Sequence, residues 1–238
     1  MERGGRNEWS RSVRKPSPRL FRPPRPAYDS PPAHTRGARP EGEPDMPFQV
    51  LGRHLEEVVV VRPDGFTDDR GLFMETWRAD QFKALGLPHR FAQENQSRSR
   101  KGVVRGLHFQ WDPPMGKLMR VTAGRAYLVA VDLRRDSPTL GKHFGLEVDA
   151  TSGVMVWAPP SFARGFCALE EGTDVLYKCT GTYNAAGESG IRWNDPALGI
   201  AWPVSTPILS AKDAKAQTLA EWLARPESGR FRRATASS

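Results

Sequence analysis

One histidine lies in a run of residues that otherwise suits a buried strand. His108 stands in Val103–Gln110 (VVRGLHFQ), among apolar side chains and close to Arg105. Because the unperturbed imidazole pKa lies near 6.5, such a histidine can act as a general base at neutral pH. A strand histidine is also often a packed, hydrogen-bonded residue without any catalytic role. Lys117 and Arg120 follow shortly afterwards, and several basic groups on adjacent strands indicate an anionic partner or a functional role.

The spacing around this histidine argues against a metal site. Metal-binding β-barrels commonly use His-x-His with further Glu and His ligands, whereas His108 is followed by Phe109 and Gln110. Glycine-rich dinucleotide and phosphate loops and the serine nucleophile elbow are also missing from the sequence. Two cysteines, Cys167 and Cys179, are too few for a disulfide scaffold. The sequence therefore predicts neither a metal nor a cofactor.

The elements that must position these side chains are predicted to be short strands. Arg120–Leu133 (RVTAGRAYLVAVDL) reads as two strands joined by a turn at Ala123-Gly124. Alternating or β-branched patterns predict further strands over Val58–Val61, Phe144–Asp149, Val154–Trp157 and Asp174–Thr180. Helices are predicted only over residues 79–85 and 211–224. Many short strands between Gly and Pro turns favour an all-β sandwich or barrel with a few short helices.

Composition divides the chain of 238 residues into three parts. Residues 1–45 hold nine of the 21 prolines and half of the net charge of +8, with almost no apolar periodicity. They are predicted to form a disordered basic arm. Residues 46–225 are predicted to form the folded domain and residues 226–238 a flexible tail. Met46 directly precedes the first strand-like segment, which favours a translation start there.

Segments that would direct the chain to a membrane or out of the cell are not apparent. No run approaches 18 apolar residues, and the N-terminus has no apolar signal-peptide core. We therefore expect a cytoplasmic protein without a membrane partner.

A series of motifs in fixed order is far more specific than any single residue. The motifs include Asn95–Ser99 (NQSRS), Gly102–Gln110 (GVVRGLHFQ), Val131–Gly141 (VDLRRDSPTLG), Pro160–Phe166 (PSFARGF), Trp193–Pro196 (WNDP) and Leu209–Asp213 (LSAKD). Over roughly residues 50–220 this series resembles the dTDP-4-dehydrorhamnose 3,5-epimerase family. The resemblance implies a cupin-like jelly roll (a double-stranded β-helix) without metal or cofactor. It also implies a homodimer that acts on a dTDP-4-keto-6-deoxyhexose.

By this resemblance, four residues carry the inversion of C3 and C5, the two carbons beside the C4 ketone. His108 is the base, Asp213 is its carboxylate partner, Tyr177 is the acid on the opposite face of the ring, and Lys117 stabilises the enolate oxygen. The ketone acidifies both neighbouring C–H bonds, but a neutral imidazole still needs a cation at the developing oxyanion. Inversion needs an acid distinct from the base, and tyrosine is protonated at neutral pH.

Further positions match residues that contact substrate in the family. They are Arg70, Glu75, Gln93, Asn95, Arg105, Arg164, Glu188 and Lys212. Arg164 departs from the usual pattern, because the family commonly has histidine in Phe-Ala-His-Gly-Phe. Arginine cannot act as a base, but its planar fork can bind sugar oxygens or phosphate. Arg70 and Glu75 lie in a segment whose family counterpart packs near a dimer interface.

Several alternatives remain open on the sequence alone. Arg164 is compatible with a mono-epimerase that inverts only C3 or C5 in another deoxysugar pathway. A catalytically silent sugar-nucleotide-binding protein of the same fold is disfavoured by the intact acid–base residues. A nucleic-acid partner is supported only by the basic arm and is not predicted. Tyr183 is a second candidate acid. Taken singly, Tyr177 suits an ordinary strand aromatic and Asp213 a carboxylate at a helix N-terminus.

Overall fold

The computed structural model describes residues 48–233, so the predicted arm of residues 1–45 and the last five residues of the predicted tail lie outside it. Two antiparallel sheets contain most of the strands. The six-stranded sheet has the spatial order β1 (Phe48–His54), β2 (Val58–Pro63), β10 (Met155–Ala158), β7 (Lys117–Ala123), β12 (Thr173–Cys179) and β5 (Gln93–Ser99). The five-stranded sheet has the order β13 (Glu188–Gly190), β6 (Val104–Gln110), β11 (Phe162–Ala168), β8 (Arg125–Asp132) and β9 (His143–Asp149). A separate hairpin consists of β3 (Gly65–Asp68) and β4 (Gly71–Met74). This is the predicted cupin-like jelly roll, and the fold class is confirmed.

The main core lies between the two sheets. Val121 of the six-stranded sheet and Leu128 and Phe162 of the five-stranded sheet belong to one buried cluster. Strand β8 is buried on both faces: Leu128 faces this cluster, while Val129 faces a second one on the outer side of the sheet. This explains why the sequence of β8 is continuously apolar rather than alternating.

The predicted pair of strands around Ala123-Gly124 is present as β7 and β8. Gly124 makes the turn with φ +67°, a conformation that favours glycine. A Cβ at this position would also lie 2.8 Å from the side-chain oxygen of Thr173. The remaining predicted strands each coincide with an observed strand to within a residue or two at their ends.

Of the two predicted helices, one is confirmed and one is wrong. Helix α1 spans Ala79–Ala84 as expected. The predicted helix over 211–224 is instead two short helices, α2 (Ala211–Ala214) and α3 (Leu219–Ala224). The interruption has a local cause: Gln217 forms an isolated β-bridge with Ile191, the residue after β13, and Thr218 starts a new helix through a capping box with Glu221.

The prediction that the chain is a flexible tail from residue 226 onward is wrong for the first residues of that segment. Pro226–Arg230 forms a 3₁₀ helix, and the side chain of Phe231 is fully buried. Its ring lies 5.5 Å from that of Phe109 on β6 and 5.4 Å from that of Trp222 on α3. The prediction missed this because one aromatic residue among polar neighbours has no periodicity to detect.

None of the helices within residues 48–233 is long and apolar enough to cross a membrane.

Candidate active site

His108 and Arg164 lie directly opposite each other on neighbouring strands. They are register partners on β6 and β11, and directly opposed residues of an antiparallel pair project from the same face. Two glycines bring these strands unusually close. A Cβ on Gly106 would lie 2.7 Å from the Cα of Gly165, and Gly106 has φ +123°. The glycines of the two motifs therefore let the backbones approach where the site is formed.

The facing wall of the site comes from the six-stranded sheet. Lys117 is the first residue of β7, and Tyr177 lies near the end of β12, which pairs with β7. The ammonium nitrogen of Lys117 lies 4.7 Å from the centroid of the Tyr177 ring, within range of a cation–π contact. Together the walls enclose a cavity of about 150 Å³. Its lining residues are Ser97, Arg105, His108, Lys117, Met119, Arg164, Gly165, Phe166, Val175 and Tyr177.

Asp213 stands behind the histidine, on α2. Its Oδ1 lies 2.5 Å from Nε2 of His108, and the carboxylate is only 5% exposed. Ser210 caps α2 by accepting a hydrogen bond from the Asp213 amide. Burial, the largest single influence, would raise the pKa of Asp213, but the hydrogen bond and charge interaction with His108, together with hydrogen bonds from Ser210 and the Gly106 backbone, hold this pKa below its usual value. The carboxylate is therefore ionised at neutral pH, and it fixes the imidazole with Nδ1 as the nitrogen free to accept a proton.

The side chain of Lys117 is a cation that is largely buried and therefore poorly hydrated. Burial, together with the neighbouring charge of Arg164, lowers the pKa of Lys117 from its usual 10.5 to about 8. The lysine is thus still mostly protonated at pH 7, but its charge is weakly screened. A charge of this kind interacts strongly with an anion that develops nearby.

Tyr177 keeps its proton. Burial, with a further contribution from Cys179, raises the pKa of Tyr177 above its usual value. Tyr183, the alternative acid, has an exposed side chain, and its hydroxyl donates to Glu188 at 2.8 Å. Of the two tyrosines, Tyr177 is the one that lines the cavity.

Arg164 is the most deeply buried charge in the cavity, with 3% of its surface exposed. Its Nη1 and Nη2 atoms each donate to the carbonyl oxygen of Met115 at 2.8 Å, while Nε is buried without a partner among the described residues. Burial lowers the pKa of Arg164 to about 10. The guanidinium therefore stays charged at neutral pH and is held in one orientation by a neutral group.

Five other predicted substrate-binding residues lie in the cavity wall or next to it. Glu188 and Lys212 are close enough for their charges to act on Lys117, and the strand of Gln93 and Asn95 pairs with that of Tyr177. Arg105 lines it and donates to Ser99. Glu188 and Lys212 form an ion pair at 2.6 Å, in which Glu188 is the more buried partner. Burial, the largest single influence, would raise the pKa of Glu188, but the contacts with Lys212 and Tyr183 and the charge of His108 together lower it. Gln93 and Asn95 lie on the edge strand β5 and are hydrogen-bonded to each other at 3.0 Å.

The last two predicted residues lie apart from the cavity of this chain. Arg70, whose side chain is 90% exposed, pairs with Asp68 in the turn of the β3–β4 hairpin. Glu75 follows the hairpin and pairs with Arg78 at 3.3 Å. Neither residue is among those that line the cavity.

The structure also adds residues that the sequence did not single out. The carbonyl oxygen of Met115 anchors Arg164, and Cys179 lies opposite Lys117 in the strand register. A backbone carbonyl carries no side-chain signal, so only the geometry could reveal Met115. Ser97 and Cys179 follow the period-two pattern of β5 and β12, and that pattern does place them on the same face as Asn95 and Tyr177.

The fold and the cavity define a cupin-like jelly-roll protein that carries the side chains of an acid–base enzyme. A family model described as dTDP-4-dehydrorhamnose 3,5-epimerase matches residues 53–221. The chain belongs to the dTDP-4-dehydrorhamnose 3,5-epimerase family, as its ordered motifs had indicated. Among residues 48–233, no group of three or more His, Cys, Asp or Glu side chains is arranged to hold a metal ion.

Three relatives illustrate the similarity. A dTDP-4-dehydrorhamnose 3,5-epimerase of Neisseria gonorrhoeae is 46% identical over 175 residues, which cover 73% of this chain and 53% of that protein. The chain thus spans about half the length of this relative. A dTDP-4-dehydrorhamnose 3-epimerase of Streptomyces niveus is 40% identical over 178 residues, which cover 74% of this chain and 85% of that protein. The crystal structure of a dTDP-6-deoxy-D-glucose-3,5-epimerase of Legionella pneumophila, in complex with dTDP-4-keto-L-rhamnose, is 38% identical. It superposes with a TM-score of 0.74 and covers 79% of this chain and 100% of that one.

Proposed function

We propose that this protein inverts C3 and C5 of dTDP-4-keto-6-deoxy-D-glucose through enolate intermediates and so yields dTDP-4-dehydro-L-rhamnose. The observation that carries the proposal is the His108–Asp213 pair, which faces Lys117 and Tyr177 across one cavity. The names of the relatives support the same substrate class.

The base in this reaction is His108. Because Asp213 occupies Nε2, the other ring nitrogen takes the proton from the carbon beside the ketone. The C–H electron pair forms a carbon–carbon double bond to C4, and the carbonyl electron pair moves onto the C4 oxygen. The ionised Asp213 stabilises the imidazolium that results.

Lys117 receives the negative charge on the C4 oxygen. Its charged form dominates below pH 8, and its partly desolvated ammonium is already in place before the charge develops. Such a preorganised donor contributes on the order of 3–4 kcal/mol of transition-state stabilisation.

Tyr177 completes the inversion. Since it belongs to the sheet opposite that of His108, it approaches the sugar ring from the other side. Its hydroxyl protonates the carbon, the double-bond electrons form the new C–H bond, and the C4 ketone is restored. The resulting tyrosinate then regains its proton from solvent, and His108 loses its own.

The nucleotide and the sugar are proposed to bind to five further residues in or next to the cavity: Arg105, Glu188, Lys212, Gln93 and Asn95. Arg105, at the cavity wall, suits a diphosphate because arginine pairs with phosphate oxygens in a bidentate way. Glu188 and the amides of Gln93 and Asn95 offer hydrogen bonds to neutral groups of the ligand.

We also propose that the protein forms a homodimer and is located in the cytoplasm. Leu72 is 46% and Phe73 71% exposed on the β3–β4 hairpin, and adjacent exposed apolar residues typically mark an interface. If a second subunit covers the hairpin, Arg70 and Glu75 lie at the interface and contact that subunit. Phe73→Glu should shift the protein from dimer to monomer in analytical ultracentrifugation. Ile208→Glu, which changes an exposed apolar residue outside the hairpin, serves as the matched control and should leave the dimer intact.

A mono-epimerase is the second candidate function. Arg164 stands where the family usually has histidine, and the Streptomyces niveus relative is named a 3-epimerase. Only the number of inverted carbons distinguishes the two candidates.

One experiment tests both. The purified full chain is incubated with dTDP-4-keto-6-deoxy-D-glucose in D₂O, and deuterium at C3 and C5 is followed by NMR. Exchange with inversion at both carbons supports the 3,5-epimerase. Exchange at a single carbon supports the mono-epimerase, and binding without exchange would overturn both candidates.

A further inference from the structure

The guanidinium of Arg164 has donors that no residue in the described part of the chain uses. Arginine carries five N–H donors, and the two that face Met115 are engaged end-on by one carbonyl oxygen. The lateral edge of the guanidinium, formed by Nε and the adjacent Nη, is not satisfied by that contact, and Nε is buried without a partner among residues 48–233. This edge is a planar pair of parallel donors, a geometry that suits two coplanar oxygen acceptors.

The charge of Arg164 is likewise not balanced by an acid in the cavity. The side chains that line the cavity within the described part of the chain include Arg105, Lys117 and Arg164 but no carboxylate. A buried cation is costly unless it meets an opposite charge. Arg164 is thus placed beside Lys117 to meet an anion that the reaction itself creates.

The two enolates of the proposed reaction differ in the shape of that anion. Loss of the C3 proton makes C3 and C4 both trigonal, so the oxygens on these carbons become coplanar and lie on the same side of the double bond. Loss of the C5 proton makes C4 and C5 trigonal, and the C3 oxygen stays on a tetrahedral carbon outside the plane. A planar pair of donors therefore matches the first enolate with both donors and the second with one.

We propose that Arg164 is a specificity-determining residue that favours proton removal at C3 over C5, because its free lateral edge binds the C3 and C4 oxygens of the C3 enolate together. The inference rests on the proposed epimerase function. Met115 has a positioning role in it, since its carbonyl fixes the plane of the guanidinium.

The test compares deuterium exchange at C3 and C5 within one sample, so a general loss of activity cancels in the ratio. Arg164→Lys keeps the charge but removes the planar pair, and it should lower the C3:C5 exchange ratio about 10- to 100-fold, the value of one hydrogen bond from a charged donor, here to the C3 oxygen. Arg164→His should lower the ratio similarly. Ser97→Ala, another residue of the cavity lining, serves as the control and should leave the ratio within about twofold.

The unmodified protein supplies a second measurement in case the variants fold poorly. Its acceleration of exchange over free imidazole should be larger at C3 than at C5, since imidazole corrects for the intrinsic acidity of each carbon. An unchanged ratio in folded Arg164→Lys, or an acceleration at C5 that equals that at C3, would overturn the inference while leaving the epimerase function intact. No exchange at either carbon in the unmodified protein would instead overturn the function itself.

Discussion

His108 Nε2 and Asp213 Oδ1 lie 2.5 Å apart, although 105 residues separate them in the chain. A strand of the five-stranded sheet supplies one partner and a four-residue helix the other. The contact is maintained by the cap of that helix, because Ser210 binds the Asp213 amide and fixes the start of the first turn. The imidazole of His108 is therefore held by a segment near the end of the folded domain.

Replacing the base should abolish exchange. His108→Ala is expected to reduce deuterium exchange at both carbons by at least about 10²-fold, because general-base catalysis contributes roughly 10²–10⁴-fold. NMR of the sugar in D₂O measures this. His143→Ala is the matched control, since His143 lies on β9 and binds the carbonyl of Leu198. Full activity of the His108 variant, or an equal loss in both, would reject the assignment.

Replacing the acid should separate exchange from inversion. Tyr177→Phe removes the proton donor but leaves His108, so the inverted product should decline at least about tenfold more than exchange does. Product configuration and deuterium content are read from the same NMR spectra. Tyr183→Phe is the control, because its hydroxyl contacts Glu188 outside the cavity lining. If Tyr183→Phe shows the larger defect in inversion, the acid is Tyr183.

The alkaline limit of activity should come from Lys117. Its pKa of about 8 means that the stabilising cation is lost as pH rises, so kcat/KM should decrease above pH 8, approaching tenfold per pH unit. Tyr177, whose pKa is raised above its usual value, does not titrate in this range. In Lys117→Arg the charge persists at higher pH, and the decrease should move upward by at least one pH unit. An identical pH profile in the two proteins would exclude Lys117 as the cation.

The same lysine should lower the stability of the fold. Its folded-state pKa lies below the unfolded value, so the unfolded chain binds more protons between about pH 8 and 10.5. The destabilisation is complete below pH 8 and disappears as pH rises through this interval. Lys117→Met should therefore raise the free energy of unfolding at pH 7 by roughly 1–2 kcal/mol while abolishing activity. Urea unfolding measures the change, and the gain should vanish above about pH 10.5, the pKa of the unfolded lysine. A less stable variant at pH 7 would contradict the prediction.

Phe231 should be needed for stability despite its position at the end of the domain. Its ring is fully buried between Phe109 and Trp222, so Phe231→Ala should cost about 3–5 kcal/mol. Phe231→Leu retains most of the volume and should cost less than half as much. Both values come from chemical unfolding. Equal stability of Phe231→Ala and the unmodified chain would restore the predicted tail boundary.

Much of the fold follows from local patterns in the sequence. Alternation predicted β9, where one face of the strand is buried more deeply than the other. Runs of β-branched and other apolar residues predicted β2, β7, β8, β10 and β12. The pattern failed where tertiary contacts decide. Gln217 joins Ile191 in a bridge and interrupts a segment that otherwise looks helical, and Phe231 fills a hollow that other elements create.

The candidate site was predictable in its residue types but not in its support. The ordered motifs indicated His108, Lys117, Tyr177 and Asp213, and all four lie at or directly behind one cavity. The anchoring of Arg164 by the Met115 carbonyl has no signature in the sequence, since any residue offers a carbonyl there. Arg70 stands on an exposed hairpin, where it pairs with Asp68 and does not line the cavity.

The floor of the cavity is also the main core, because Met119, Phe166 and Val175 belong to both. The proposed base, His108, and the proposed acid, Tyr177, stand on different sheets, so the distance between them depends on the spacing at which this core holds the sheets, about 10 Å between backbones. The packing of the core therefore sets the distance over which the proton must move. A larger side chain at Val175 would push the two sheets apart and weaken proton transfer from Tyr177, although neither Tyr177 nor His108 is changed.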